Sequence, residues 1–326
     1  DIVTLILAIG VAACRLMVVA HADGEMQRAL ARALTVALAL LTAASFGILL
    51  SRTLEMSGGV WPALLPDMWL ALTVTHFGHI WWWRIPALAL LWLTCGWTWR
   101  RKGQGWTVWI MALALATIAI TRSDTGHPAD NGDFTLAVWA DWLHLLAAGA
   151  WVGSLFGTSL VVFPHLLRMG ERANTSAAAI FQRLSTLSGI ALAGLLAGGI
   201  YNAVQQLGAF ASLWTTRYGV ILDIKIAIVL VMIAIGAHNR YIKLPRLLRT
   251  AAARAQPTKF DAVRTCARAV LAESLLGIAV IGAAACLIHS MPPVDVRALP
   301  AAMQASTPHA PVPETAGLIV AFAGIR

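Results

Sequence analysis

The sequence predicts an all-α polytopic membrane helix bundle of about eight transmembrane helices, arranged as two parallel four-helix repeats. Three observations predict it. Apolar runs near the roughly 20 residues that a membrane crossing needs recur along the chain. Of 326 residues, 59% are hydrophobic and 12% charged, with a mean hydropathy of +0.74, a composition that fits no soluble class. Basic residues gather in every second connection between the runs, as in a chain whose topology they set.

The runs occupy 2 to 22, 29 to 52, 78 to 99, 105 to 122, 136 to 163, 179 to 204, 218 to 238 and 266 to 289. The first is expected to remain as a span: Arg15 interrupts it and no small-residue cleavage site is clear. Arg28 and Arg32, then Arg100 to Lys102, then Arg168, Arg172 and Arg183, then the stretch from Arg240 to Arg264 fall on alternate connections. The positive-inside rule places these in the cytoplasm and both termini outside. Trp81 to Trp83 and Trp97 with Trp99 bracket the third run, while Trp61, Trp69, Trp139, Trp142 and Trp214 mark the outer interface. The net charge of +9 therefore belongs to topology, with lipid as the partner and nucleic acid excluded. Cys14, Cys95, Cys266 and Cys286 are scattered without CxxC spacing, so neither a disulfide framework nor a thiolate zinc site is expected.

Between the second and third runs, Ser57 to Thr75 is apolar but short and holds two prolines. An internal match argues against a ninth span there. LTVTHFGHIWWWRI (72 to 85) aligns with LWTTRYGVILDIKI (213 to 226) at an offset of 141, pairing Thr75 with Thr216, Phe77 with Tyr218, Gly78 with Gly219 and Arg84 with Lys225. Matching orientation makes 57 to 75 an outer or re-entrant segment and implies a four-plus-four arrangement. The expected organisation is an N-terminal half over 1–122 with an outer segment 53–77, a C-terminal half over 123–289, and an irregular periplasmic tail over 290–326.

Polar residues inside this apolar frame are the candidates for chemistry, because burying them in lipid is costly. Asp141 and His144 lie one turn apart, with His144 about 12 Å down the fifth helix. Histidines concentrate on the predicted outer side: His76 and His79 before the third run, His127 in SDTGHPADNGD, His144, and His289 at the end of the eighth. His21, His165 and His238 lie inward, and His309 is in the tail. This asymmetry points to an outward-facing metal site of His76, His79, His127 and His144, since imidazole suits copper, zinc, nickel and iron. Met68, Met291 and Met303 are also outside but form no compact motif. His76 and His79 serve equally well as helix-end caps, and His127 as a solvated loop residue. Asp141 is placed to fix the His144 tautomer, although a His-Asp pair that merely ties helices together has the same pattern. Glu273 is the expected partner of Lys225, a pair suited to setting bundle register. Gly194, Gly198 and Gly199 are expected to serve close helix packing. The absence of a nucleotide loop, HExxH and nucleophile elbow speaks against hydrolytic or ATP-driven chemistry, and no catalytic residue is assigned.

DWLHLLAAGAWVG (141 to 153), FQRLSTLSGIALAGLLAGGIYNAV (181 to 204), LWTTRYGVILDIKIAIVL (213 to 230), NRYIKLP (239 to 245) and VLAESLLGIAVIGAAACLIHSMPP (270 to 293) together resemble the copper resistance D family, CopD and PcoD. The resemblance covers about 140 to 293 and is weaker before it. It implies an eight-span inner-membrane protein that handles copper from the periplasm, most simply a permease admitting it towards the cytoplasm, with copper carriers of the periplasm as possible partners. It also assigns family positions to Asp141, His144, Trp151, Gly153, Lys225 and Glu273, and to His127 in a Gly-His pair. A second resemblance competes. HLLAAGAWVGSLFGTSLVVFPHLL (144 to 167) is similar to the first helix of HemJ-type protoporphyrinogen oxidases, which implies haem b with His144 as an axial ligand. A copper-binding scaffold without transport is the third alternative.

Overall fold

A computed structural model describes residues 1–19, 24–57, 64–100, 105–129, 132–169, 174–252, 259–288, 290 and 292–294. His21, Trp61, His289, Met291, Met303 and His309 lie outside these residues, as do the His127 side chain and nearly all of the expected tail. The protein is an all-α polytopic membrane bundle, and no strand occurs among the described residues.

In chain order, α1 (Ile2–Ala13) runs on as a π-helical turn (Cys14–Val18), followed by α2 (Gly24–Ser57), α3 (Leu64–Val74), α4 (His76–Trp81), α5 (Arg84–Arg100) and α6 (Gly105–Ser123). Then come α7 (Leu136–Met169), α8 (Asn174–Leu207), the short α9 (Ser212–Thr215), α10 (Arg217–His238) and α11 (Lys259–Ile288). α10 continues through a π-helical turn (Asn239–Lys243) into Leu244–Ala252. Among the described residues six helices are long and apolar enough to cross a membrane: Gly24–Met56, Trp106–Ser123, Leu136–Met169, Ser176–Leu207, Arg217–Arg249 and Val263–Ile288. The first and third expected runs are helical but shorter, as Ile2–Val18 and Arg84–Arg100. The third starts later than its apolar pattern because the chain turns at Trp82 and Trp83 and resumes with Pro86 in the first turn, where its missing N–H does no harm.

The chain divides into two compact units. The first comprises Asp1–Asn202 and Leu230–Ile278. Its core joins α1, α2, α5 and α6 through Leu5, Leu34, Leu38, Leu41, Leu91, Met111 and Ile118. Against this core α7 approaches α1 almost backbone to backbone. A Cβ on Gly10 would lie 1.9 Å from the Gly153 carbonyl carbon, and one on Gly153 would lie 2.1 Å from Ile6 O. Gly149 faces Ile9 and Gly157 faces Cys14 in the same way, so a glycine every four residues on α7 forms the seam. Two π-helical turns, Gly149–Gly153 and Thr158–Val162, lie along that seam. Arg84 is buried at the bundle end, with Nη2 2.9 Å from Asp1 Oδ2 and Nε donating to Thr121 Oγ1 at 2.8 Å. In the second unit, Ala203–Val229 and Ala279–Arg326, Leu207, Tyr218, Leu222 and Leu287 pack together.

The internal match corresponds to the same turn built twice. Thr75 is extended (φ −92°, ψ 151°), accepts the Gly78 N–H at 3.0 Å and donates to Ala71 O at 2.6 Å. Thr216 is extended (φ −124°, ψ 150°), accepts the Gly219 N–H at 3.0 Å and donates to Ser212 O at 2.7 Å. Each glycine lies where a side chain would strike the preceding helix, at 2.2 Å from Ala71 O and 2.1 Å from Ser212 O. Within the segment 57 to 75 that the sequence leaves as outer or re-entrant, Leu64–Val74 form the 11-residue helix α3.

Candidate metal centre

The connection from α6 to α7 assembles the polar residues of the first unit. Thr75, His76 and Phe77 from α4 and its cap, Glu55 and Met56 from the end of α2, and Asp124, Gly126 and Ala129 from the connection line a cavity of about 280 Å³. His76 Nε2 lies 2.7 Å from Asp133 Oδ1, with both side chains about half exposed. Asp124 is buried, and its Oδ1 accepts the Phe134 N–H at 3.1 Å. Arg52, on the same wall, pairs with Glu55 at 3.2 Å. A second cavity of about 230 Å³, lined by Asp1, Arg84 and Arg122, shares Arg52, Glu55, Phe77 and Thr125 with the first.

Beside Asp124, Ser123 directs its hydroxyl into the bundle and donates to Asp141 Oδ2 at 2.7 Å. Asn202 Nδ2 lies 3.5 Å from the other Asp141 oxygen. One turn below, His144 Nδ1 lies 3.1 Å from Leu195 O. A carbonyl can only accept, so Nδ1 carries the proton and a neutral ring has its lone pair on Nε2, the arrangement of histidines that bind a metal ion or haem iron. Asp141 was the expected orienting group, whereas Leu195 O receives the Nδ1 proton. The glycines of α8 explain this: a Cβ on Gly198 would lie 2.5 Å from Ala140 O, and one on Gly199 would lie 3.1 Å from His144 Cε1. With no side chains between them, the α8 backbone reaches the imidazole.

The sequence-predicted residues thus separate. His76 lines the cavity, and His144 lies deeper in the bundle. His79 Nε2 is 3.1 Å from Thr73 O, where it closes the break between α3 and α4. His127 opens a 3-10 turn (His127–Ala129); Ala129 at its end and Gly126 just before it line the cavity. No group of three or more His, Cys, Asp or Glu among the described residues is gathered closely enough to hold a metal ion. Trp151 is buried in the π-helical turn of the α7 seam. Glu273 is buried and accepts from Asn239 Nδ2, and its neighbour Ser274 is 2.9 Å from Ser159 Oγ. Lys225 lies on α10 in the second unit. Sequence reasoning missed Ser123, Asp124, Asp133, Asn202 and Asn239. Ser123 and Asp124 were detectable as polar residues at the very end of a span; the others are joined to their partners only by folding.

With that geometry in place, comparison with known proteins is decisive on ancestry. The model for copper resistance protein D matches residues 178–287, and that for the copper resistance protein D-like N-terminal domain matches residues 2–136. The chain belongs to the copper resistance protein D family. Inner membrane protein YebZ of Escherichia coli is 30% identical over 184 residues, covering 56% of this chain and 60% of the relative. Copper resistance protein D of Pseudomonas syringae pv. tomato is 29% identical over 207 residues, covering 60% and 63%. Copper transport protein CutJ of Bacillus subtilis is 27% identical over 120 residues, covering 37% and 22%. The chain therefore spans about six tenths of the length of the first two relatives it matches. No solved structure matches. The family's N-terminal domain holds the whole lining of the His76 cavity, whereas His144 and Trp151 fall between the two matched stretches.

Proposed function

We propose that this protein is a multi-pass inner-membrane permease that admits copper from the periplasm towards the cytoplasm, with both termini periplasmic and no catalysed reaction. Copper stands in the names of two of its relatives and transport in one of them, and a periplasmic copper carrier is the natural donor. The observation that carries the reading is the direct succession of polar groups from the cavity into the bundle. Asp124 is among the residues lining the cavity, and its neighbour Ser123 holds Asp141, one turn above a histidine whose lone pair is directed to Nε2. Such a line of groups suits a cation that must exchange water for protein ligands.

Copper uptake into proteoliposomes, with and without a proton gradient, tests this. His144→Ala and His127→Ala proteins that fold and insert normally are expected to carry copper much more slowly than the parent. Parental rates in both variants would sink the proposed route.

A further inference from the structure

A carboxyl group and a primary amide meet inside the first unit, and one end of the amide is left over. Glu273, on α11, is 4% exposed and accepts from Asn239 Nδ2 on the continuation of α10. Asn239 Oδ1 is buried without a hydrogen-bond partner among the described residues. A buried acceptor in that state calls for a donor. Turning the amide over would not supply one, since Oδ1 would then meet Glu273 Oε1, two acceptors that only an acid proton can join.

The other carboxyl oxygen lies against the same helix: a Cβ on Gly236, three residues before Asn239, would be 3.6 Å from Oε2. Asn239 opens the π-helical turn Asn239–Lys243, and the positive charge acting on Glu273 is that of Lys243 at the other end of this turn, which also acts on Cys266 of α11. α7 meets α11 through Val152, 2.7 Å from where a Cβ on Gly277 would sit, and through Ser159, 2.9 Å from Ser274 Oγ. Neither of these titrates. Val152 and Ser159 lie in the two π-helical turns of α7, so three such turns, a form frequent at functional sites, each bring a residue to this stretch of α11.

We propose that Glu273 is an intramembrane proton-binding site, its neutral acid donating from Oε2 to Asn239 Oδ1 while Oε1 accepts from Nδ2. This is the double hydrogen bond that joins a carboxylic acid to an amide, and it satisfies the amide oxygen left over. Release breaks the O–H bond and gives the proton to water; the carboxylate that remains keeps the Nδ2 donor and the Lys243 charge. Carboxyl groups held within spans mark proton relays in pumps and transporters. On the permease reading, on which this role rests, Glu273 is the group through which a proton gradient acts on copper uptake.

The test is infrared spectroscopy of the purified full chain over a pH series, alongside copper uptake into proteoliposomes under an imposed proton gradient. The parent is expected to show a protonated-carboxyl C=O band that fades as pH rises. Glu273→Gln, which can still pair with the amide, should lose that band, and its uptake should no longer respond to the gradient. Asn239→Ala takes both hydrogen bonds from the acid and should move the band to higher frequency, which an ionised Glu273 serving only to tie helices together would not show. A parent without the band at any pH, or a band that Glu273→Gln retains in full, overturns the site. Parental uptake that ignores the gradient, or Glu273→Gln uptake that follows it as the parent does, overturns the role. Should Glu273→Gln fail to fold, Asn239→Ala decides: an unmoved band overturns the site. Absence of uptake by the parent would remove the permease reading, while a titrating band lost in Glu273→Gln would still uphold the proton site.

Discussion

Asp141 shows how an intramembrane carboxylate is held and how its partners rank. Ser123 donates at 2.7 Å, a good hydroxyl-to-carboxylate distance, while Asn202 at 3.5 Å is at the limit of a hydrogen bond. Ser123→Ala is therefore expected to destabilise the protein by about 1.5–3 kcal/mol and Asn202→Ala by much less, read as the shift in thermal midpoint in detergent. Equal shifts would show that the distances misjudge the network. At His144 the decisive contact is the Leu195 carbonyl, so Gly199→Ala, whose new methyl would lie 3.1 Å from Cε1, should displace the ring. It should slow copper uptake, read as the initial rate in proteoliposomes.

Among the helices, the glycines differ sharply in what they do. Gly153 lies at the α1–α7 crossing with no room for a side chain, so Gly153→Val should force the helices apart and cost about 1–3 kcal/mol or more. Gly96 on α5 has nothing within 4 Å, and Gly96→Ala should stabilise the helix by up to about 1 kcal/mol. Thermal unfolding of the two variants side by side checks the contrast; similar changes would mean the seam is looser than its geometry. Gly78 and Gly219 belong with Gly153, since each meets the backbone of the helix before it. The sequence match at an offset of 141 disclosed this pairing, but which atoms the glycines clear became visible only with the preceding helices in place.

Among the described residues, many large apolar side chains are exposed. Trp109, Leu113, Ile190, Ile200 and Val204 are each well over half exposed, as expected of residues whose solvent is lipid. Cysteine-accessibility mapping should find position 103, in the connection after α5, reactive only from the cytoplasm and position 132, beside Asp133, only from the periplasm. The reverse pattern would place the His76 cavity on the wrong side for uptake.

All eight apolar runs are legible in the sequence and each contains a helix among its described residues, because length and hydropathy are local properties that lipid reads one segment at a time. His144 and Asp141 were legible for the same reason, as polar residues within such a run. The sequence alone determined the membrane class, the helical runs, the repeated Thr-x-x-Gly turn and the family. The tertiary structure alone decided that Leu195 O orients His144, that Asn239 meets Glu273, and that Asp124 and His76 line one cavity. Those contacts join residues on different elements, and which carbonyl or carboxylate meets which side chain is set by how closely glycines let the backbones approach, a distance that no local pattern encodes.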